Sequence, residues 1–461
     1  MSPSTSQVPN QSSVQRWFDD GHAKHHVPLA PAVPIDPTVN TWSRFGPTFE
    51  AYEYSGWIDE SVSWKTDCYI GDWSPLLKAR VKGPEAQAFF EFISTNRWPN
   101  FKPGQAKHAI FCQDNGCVVG EGLVLMLGKD DFIFTSGPGT VWLAYQFQFG
   151  RKKFDATLEL VTNDWFLLQV QGPRSAKLLN EVTAEGVQDI EFMHYKELSI
   201  NGTKFLCLRQ GVSGELGFEL WGPAKDARKI YSSIVDAGKP HNLRQLGART
   251  KMVNHVEAAF ATPAADFIPA VHAPSSNKEL VEFRQYAKSI GFDFDLHVSK
   301  ASGSYGTDPV LYHNTPFDLN WGWLVNLDHD FIGRDALAKL KADPPRKLVT
   351  LVWDKDDVAD VFASLFRSES YEYMEMPRNL LGNVVGSSVS VGSQTIGYAV
   401  SRCYSYWFKE MISLGIVLKE HAAPGTVVAV IWGGEGSKQK IIKAIVQPAP
   451  YKEDKRRCKI V

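Results

Sequence analysis

The chain is short of cysteine and carries almost no net charge. Six cysteines are spread over 461 residues, at Cys68, Cys112, Cys117, Cys207, Cys403 and Cys458, with no C-x-x-C pair among them. That pattern argues against a zinc site or a disulfide framework and suits free thiols in a reducing compartment. Lys and Arg number 49 against 51 Asp and Glu, a formal charge of −2, so the basic bias of a general nucleic-acid binder is missing. No apolar run approaches membrane-spanning length and the N-terminus shows no signal-peptide core, so the expected location is cytoplasmic, without a membrane partner. The terminal Cys458-Lys459-Ile460-Val461 has lysine where a prenylation box wants an aliphatic residue, which argues against a lipid anchor. What remains, at 44% hydrophobic and 22% charged residues, is a globular chain long enough for two or three packed units.

Residues 1–44 are rich in Ser, Pro, Gln and His and read as an arm, in which the adjacent His25 and His26 are solvated; no metal site is expected. A body follows over 45–343. Val81-Lys82-Gly83-Pro84 leading into Glu85–Phe90 reads as strand, turn and helix, and Val170-Gln171-Gly172-Pro173 leading into Arg174–Leu179 repeats it. Two copies of one unit predict an internally duplicated α+β body with sheets around a cleft. Gly120–Gly128 and Asp131–Gly137 predict a β-hairpin, and residues 273–307 read as irregular. From 344 to 461, β-rich segments between Gly turns predict a C-terminal β-barrel or jelly roll.

The body is organised around Gly211-Val212-Ser213-Gly214-Glu215-Leu216-Gly217-Phe218-Glu219-Leu220-Trp221. Its three glycines permit positive φ or close backbone approach. Glu219 sits among apolar residues, and a buried carboxylate is expensive unless it is paired. Either it caps a neighbouring loop, or it accepts hydrogen bonds from a heterocycle with adjacent N–H donors.

This stretch resembles the G-x-x-G-E-x-G-F-E signature of the folate-binding aminomethyltransferase superfamily, which includes the glycine-cleavage T-protein. Gln169-Val170-Gln171-Gly172-Pro173, Leu246-Gly247-Ala248-Arg249, Thr315–Trp323 and Asp330–Leu337 resemble further family motifs in the same order, across residues 45 to 450. Arg249–Glu257, Arg209-Gln210-Gly211, Leu220–Pro223 and Ala51–Tyr54 are similar to the branch of tetrahydrofolate-dependent vanillate and syringate O-demethylases and dicamba methyltransferases. The resemblance implies a T-protein-like fold of three subdomains and tetrahydrofolate as cosubstrate. It also implies folate contacts at Glu219, Arg249 and Gln169, with Tyr54 toward the substrate.

Departures lie in the substrate half. Lys251 stands where that branch has a catalytic Tyr, and Phe260 where it has a cofactor-packing Trp. The branch's Arg for the substrate carboxylate falls near Gly137, and its substrate His near Pro75 or Leu76. The expected reaction is transfer of the methyl group of a methoxybenzoate-type ether, vanillate-like or chlorinated and dicamba-like, to tetrahydrofolate. Lys251 is expected to stabilise the departing oxygen, with His255 one turn on at i+4. Both also fit ordinary helix packing. Trp64, Tyr69 and Trp73 are either an aromatic substrate wall or core, and Arg402, Tyr404 and Tyr406 are candidates for the folate glutamate tail. Two alternatives stay open: transfer from a non-aromatic donor, and a non-catalytic folate-binding protein. Against aminomethyl transfer, no carboxylate occurs near Thr135–Pro138. Oligomeric state is left open, a monomer included.

Overall fold

The computed structural model describes residues 38–45, 48–272, 277–292, 300–377 and 383–460, together with Ala32, Val33 and Asp36. Most of the expected arm, with His25 and His26, lies outside the described residues. Trp42–Phe45 pairs antiparallel with Thr48–Ala51, so strand structure is already present before residue 45.

The two strand–Gly-Pro–helix copies each occupy their own sheet. Leu77–Lys82 passes through Gly83 into the helix Ala86–Ile93, and Trp165–Gln171 passes through Gly172 into the helix Ser175–Val182. Gly83 and Gly172 have φ of +144° and +120°, and a Cβ on them would stand 2.6 Å from Ala156 Cα and 2.5 Å from the Asp67 carbonyl. Only glycine makes either turn without strain.

Among the described residues, the first copy belongs to a five-stranded sheet ordered Ala106–Cys112, Val118–Gly128, Asp131–Ser136, Leu77–Lys82, Thr157–Leu160. The second belongs to a six-stranded sheet ordered Tyr195–Ile200, Thr203–Leu208, Gly217–Pro223, Trp165–Gln171, Cys68–Asp72, Leu243–Gln245. Neighbours are antiparallel except for Leu243–Gln245, which runs parallel to Cys68–Asp72. The first sheet buries a largely aromatic core around Phe89, Phe90, Trp98 and Phe132, whereas the second buries mainly aliphatic side chains such as Leu168, Leu178 and Ile230.

The stretch read as irregular contains a helix, Lys278–Ser289, whose N-cap Asn277 side chain accepts from the Glu279 N–H. Leu280, Phe283 and Ala287 recur at helical spacing and are buried, Phe283 packing edge-on against Trp142 with ring centroids 5.3 Å apart. Residues 273–276 and 293–299 lie outside the described residues.

Past residue 345, six strands close into a barrel ordered Arg346–Trp353, Glu410–Leu418, Gln394–Ser405, Ser387–Val391, Val427–Trp432, Lys440–Gln447. Along the last strand Ile442, Ala444 and Val446 point into its core while alternate residues are exposed, the period-two pattern of a small barrel. Glu257, 1% exposed at the end of the body helix Ala248–Glu257, joins the two units. It accepts from Lys65 Nζ at 2.8 Å, Trp64 Nε1 at 3.1 Å and Ser405 Oγ of the barrel at 2.6 Å. A buried charge so fully paired strongly penalises separation of the units.

Candidate active site

Antiparallel pairing sets Glu219 directly opposite Gln169. Alternation along the strand puts Glu219 and Trp221 on one face. Gln169 Nε2 donates to Glu219 Oε1 at 3.0 Å and Trp221 Nε1 to Oε2 at 3.3 Å. Gln171 Nε2 in turn donates to Gln169 Oε1 at 2.8 Å, and Gln171 Oε1 accepts from the Ser213 N–H at 3.0 Å and from its hydroxyl. The glycine-rich turn therefore fixes the side chain that fixes the partner of Glu219. Gly211 makes this possible, because a Cβ there would lie 2.1 Å from Gln171 Nε2. Glu219 is 4% exposed, and burial pushes its carboxyl up to about 7 against the pull of Trp221 and Gln169.

Glu219 and Gln169 line a cavity of 1220 Å³ where both sheets, the Ala248–Glu257 helix, the Trp42–Ala51 hairpin and the C-terminal segment meet. Each carboxylate oxygen of Glu219 keeps acceptor capacity beyond its single protein donor. That arrangement fits a reduced pteridine, whose ring presents neighbouring N–H donors.

Lys251 and His255 line the same cavity from the helix. Lys251 Nζ lies 2.5 Å from Glu50 Oε2 on the hairpin, donates to the Asp72 carbonyl at 3.1 Å, and sits 4.4 Å from both the Phe45 and Trp73 rings. Burial raises the Glu50 pKa and Lys251 pulls it back in part. His255 Nδ1 meets the Lys251 carbonyl at 3.2 Å, and Nε2 lies 3.3 Å from Asp266 Oδ2. Burial of the imidazole disfavours its charge, but the Asp266 carboxylate outweighs this and its pKa is raised.

Phe260 and Trp73 also line the cavity. Pro75, Leu76 and Gly137 line it as well, whereas Arg249, Tyr54, Trp64, Tyr69, Arg402, Tyr404 and Tyr406 do not. Arg249 donates to Glu53 at 2.7 Å and packs on Tyr52 and Trp57. Tyr54 packs on the core of the six-stranded sheet and is hydrogen-bonded to Tyr231. Trp64 and Tyr69 are fully buried and meet edge to face at 5.9 Å, with the Tyr69 hydroxyl accepting from Asn254. Arg402 stacks 3.9 Å over Trp432 of the barrel.

Sequence reasoning passed over one pair. Glu121 and His108, on adjacent strands of the five-stranded sheet, line the cavity with His108 Nε2 2.6 Å from Glu121 Oε2. The His108 ring stands 5.8 Å from Phe260 and 5.5 Å from Trp321. The available signal was a lone charge, Glu121, inside the apolar hairpin strand Val118–Gly128.

Residues 38–277 match the family model described as the GCVT N-terminal domain. The chain is 31% identical to sesamin methylene transferase of Sinomonas sp. (strain No.22) over 422 residues, covering 87% of this chain and 90% of that one. It is 28% identical to syringate O-demethylase of Sphingobium sp. (strain NBRC 103272 / SYK-6), covering 87% and 89%. In fold it is similar to the glycine cleavage system aminomethyltransferase T from Bartonella henselae, with a TM-score of 0.65 at 18% identity over 95% of this chain and 98% of that one. No helix among the described residues is long and apolar enough to cross a membrane. A duplicated body closed by a barrel, a family model matched over more than half of the chain, and relatives matched over nearly their whole length lead to one conclusion: the chain belongs to the GCVT folate-binding aminomethyltransferase family and is a tetrahydrofolate-dependent one-carbon transferase.

Proposed function

We propose that the protein removes the methyl group of an aryl methyl ether. The observation that carries this reading is Lys251, a cation fixed in the wall of the cavity that holds Glu219. Tetrahydrofolate supplies the amine nitrogen that takes up the one-carbon group. The residues must hold the donor in line, exclude water and stabilise the negative charge left on the phenolic oxygen when its bond to carbon breaks. An ammonium group has three protons. Glu50 and the Asp72 carbonyl take two of those on Lys251, which leaves one for the departing oxygen. His255, protonated more readily than a free imidazole, is the nearby proton source. Leu76, Leu123, Phe260 and Trp73 give the ring an apolar seat. Around Gly137, where the branch has its carboxylate-binding Arg, Ser136 and Pro138 add no charge. This favours a donor without a carboxylate there over a close copy of vanillate.

The test is an anaerobic incubation with tetrahydrofolate and vanillate, syringate, 2-methoxybenzoate, dicamba and a neutral methoxyphenol, with 5-methyltetrahydrofolate read by mass. Product with any of them sustains the reading, and none with the whole panel sinks it.

The Glu121–His108 pair favours a second reading, cleavage of a methylenedioxy ring. Opening such a ring needs a proton delivered to one oxygen and then to the other, work suited to a carboxylate–imidazole pair. The methylene-transferring relative adds support. A methylenedioxybenzene in the same assay separates the two, since it would yield 5,10-methylenetetrahydrofolate.

A further inference from the structure

A buried charge lies beside the cavity and outside the chemistry described above. The loop Trp73–Leu76 joins the strand Cys68–Asp72 of the six-stranded sheet to Leu77–Lys82 of the five-stranded one, and Trp73, Pro75 and Leu76 line the cavity. Along Leu77–Lys82 the alternate residues Arg80 and Lys82 reach water, but Lys78 on the same face is fully buried. It turns back under the loop, where Nζ donates to the Ser74 and Leu76 carbonyls at 2.8 Å each. No ion pair holds it among the described residues. Burial pushes its pKa down to about 7, and the charge of Asp72 opposes this only in part.

An ammonium kept from water without a carboxylate is a costly way to fill space that an apolar side chain of similar length would fill. What it supplies and such a side chain would not is donors aimed at two carbonyls of the loop. The loop's N–H groups are fastened elsewhere. Trp73 N–H donates to the Leu167 carbonyl at 2.8 Å, Ser74 N–H to Asp72 Oδ1 at 2.8 Å, and Leu76 N–H to the Trp73 carbonyl at 3.0 Å. Gly71 leaves room for the Trp73 indole, because a Cβ there would stand 2.3 Å from Cζ3. Held in this way, the ring comes to rest 4.4 Å from Lys251 Nζ.

Resting on the aryl-ether reading of the cavity, we propose that Lys78 is a positioning residue for the donor, holding the loop Trp73–Leu76 as the wall against which the donor's ring lies. It touches no reacting atom and acts through Trp73 and Leu76. The side chains assigned to the pteridine, Glu219 and Gln169, are bonded to Trp221 and Gln171 rather than to this loop. Loss of the Lys78 donors therefore weakens the hold on the donor and leaves that on folate.

The test is calorimetric titration of the protein with 5-methyltetrahydrofolate, and then of that complex with catechol, the phenol left when 2-methoxyphenol loses its methyl group. Lys78→Met is expected to bind catechol roughly tenfold more weakly than the wild type, the scale of one lost hydrogen bond, with folate affinity unchanged. Lys78→Gln, whose amide keeps N–H donors on a shorter stem, should lose roughly threefold, and it is judged by the same criteria if Lys78→Met does not fold. Unchanged catechol affinity overturns the proposal, and so does an equal loss of both ligands, the mark of a general loosening. A wild type that binds 5-methyltetrahydrofolate but not catechol overturns the aryl-ether reading, and the role of Lys78 with it.

Discussion

Lys251 on a body helix and Glu50 on the Trp42–Ala51 hairpin form an ion pair at 2.5 Å in which both side chains are largely buried, 14% and 10% exposed. Lys251→Met leaves Glu50 without its cation in a site that already raises its pKa, and is expected to cost about 3 kcal/mol or more of stability. Adding Glu50→Gln should restore most of that loss. If Lys251 also stabilises the departing oxygen, the double variant stays slow, with kcat down by roughly 10²–10³. Urea unfolding and turnover of both variants separate these contributions. A stable double variant with full kcat would remove Lys251 from the chemistry.

Glu219 links stability to pH. Its folded pKa, about 7, is above the ordinary carboxylate value of 4.5, so burial favours the protonated form. That contribution is fully present below pH 4.5 and is lost as pH rises through about 7, whereas Glu219→Gln lacks it at every pH. The wild type should therefore lose about 3 kcal/mol relative to the variant across that window. Folate affinity of the wild type should run the opposite way, rising as the carboxylate ionises. Unfolding curves of both proteins at pH 4 and pH 8 give the first comparison, and a constant difference would contradict it.

Gly211→Ala forces Gln171 to move, since its Nε2 occupies the space a Cβ needs. The bonds from Gln171 to Gln169 and Ser213 break with it. Folate affinity is expected to fall by roughly tenfold, the scale of one lost buried hydrogen bond. A titration that matches the wild type would show that Gln169 orients itself.

Asp266→Asn should lower the His255 pKa, because the carboxylate is what opposes burial. A proton NMR titration of the imidazole reads this directly. An unchanged midpoint would mean that the Lys251 carbonyl alone holds the proton.

What the sequence made legible was local. Glu219, Gln169 and the two Gly-Pro turns sit in short runs whose composition states their geometry. The Glu121–His108 pair was not legible, because it forms only when Ala106–Cys112 pairs with Val118–Gly128, and no residue type announces that register. Thr135–Pro138 itself has no carboxylate, but folding brings one from the neighbouring strand, with the Ser136 hydroxyl donating to the Glu121 carbonyl at 2.5 Å. Aromatic residues were ambiguous for a related reason. Trp73 lines the cavity beside Lys251, while Trp64, close by in sequence, gives its indole N–H to Glu257 and packs edge-on to Tyr69 in the core, contacts made with residues far along the chain. Arg249 matched a family motif, yet here Glu53 holds its guanidinium, a pairing across 196 positions.

The convergence of Lys65, Trp64 and Ser405 on Glu257 bears on how such chains diversify. A barrel bonded to the body through buried carboxylates, Glu257 with Ser405 and Asp318 with Arg346, cannot be exchanged as a free-standing module. A graft that brings in a barrel without a hydroxyl at position 405 takes one partner from a charge that water cannot reach. The C-terminal return tightens this constraint, because the last strand of any incoming barrel must also lead a tail back beneath Gly214. Changes in donor preference are therefore expected to accumulate by substitution along the Trp42–Ala51 hairpin and the five-stranded sheet, leaving the junction between body and barrel as it is.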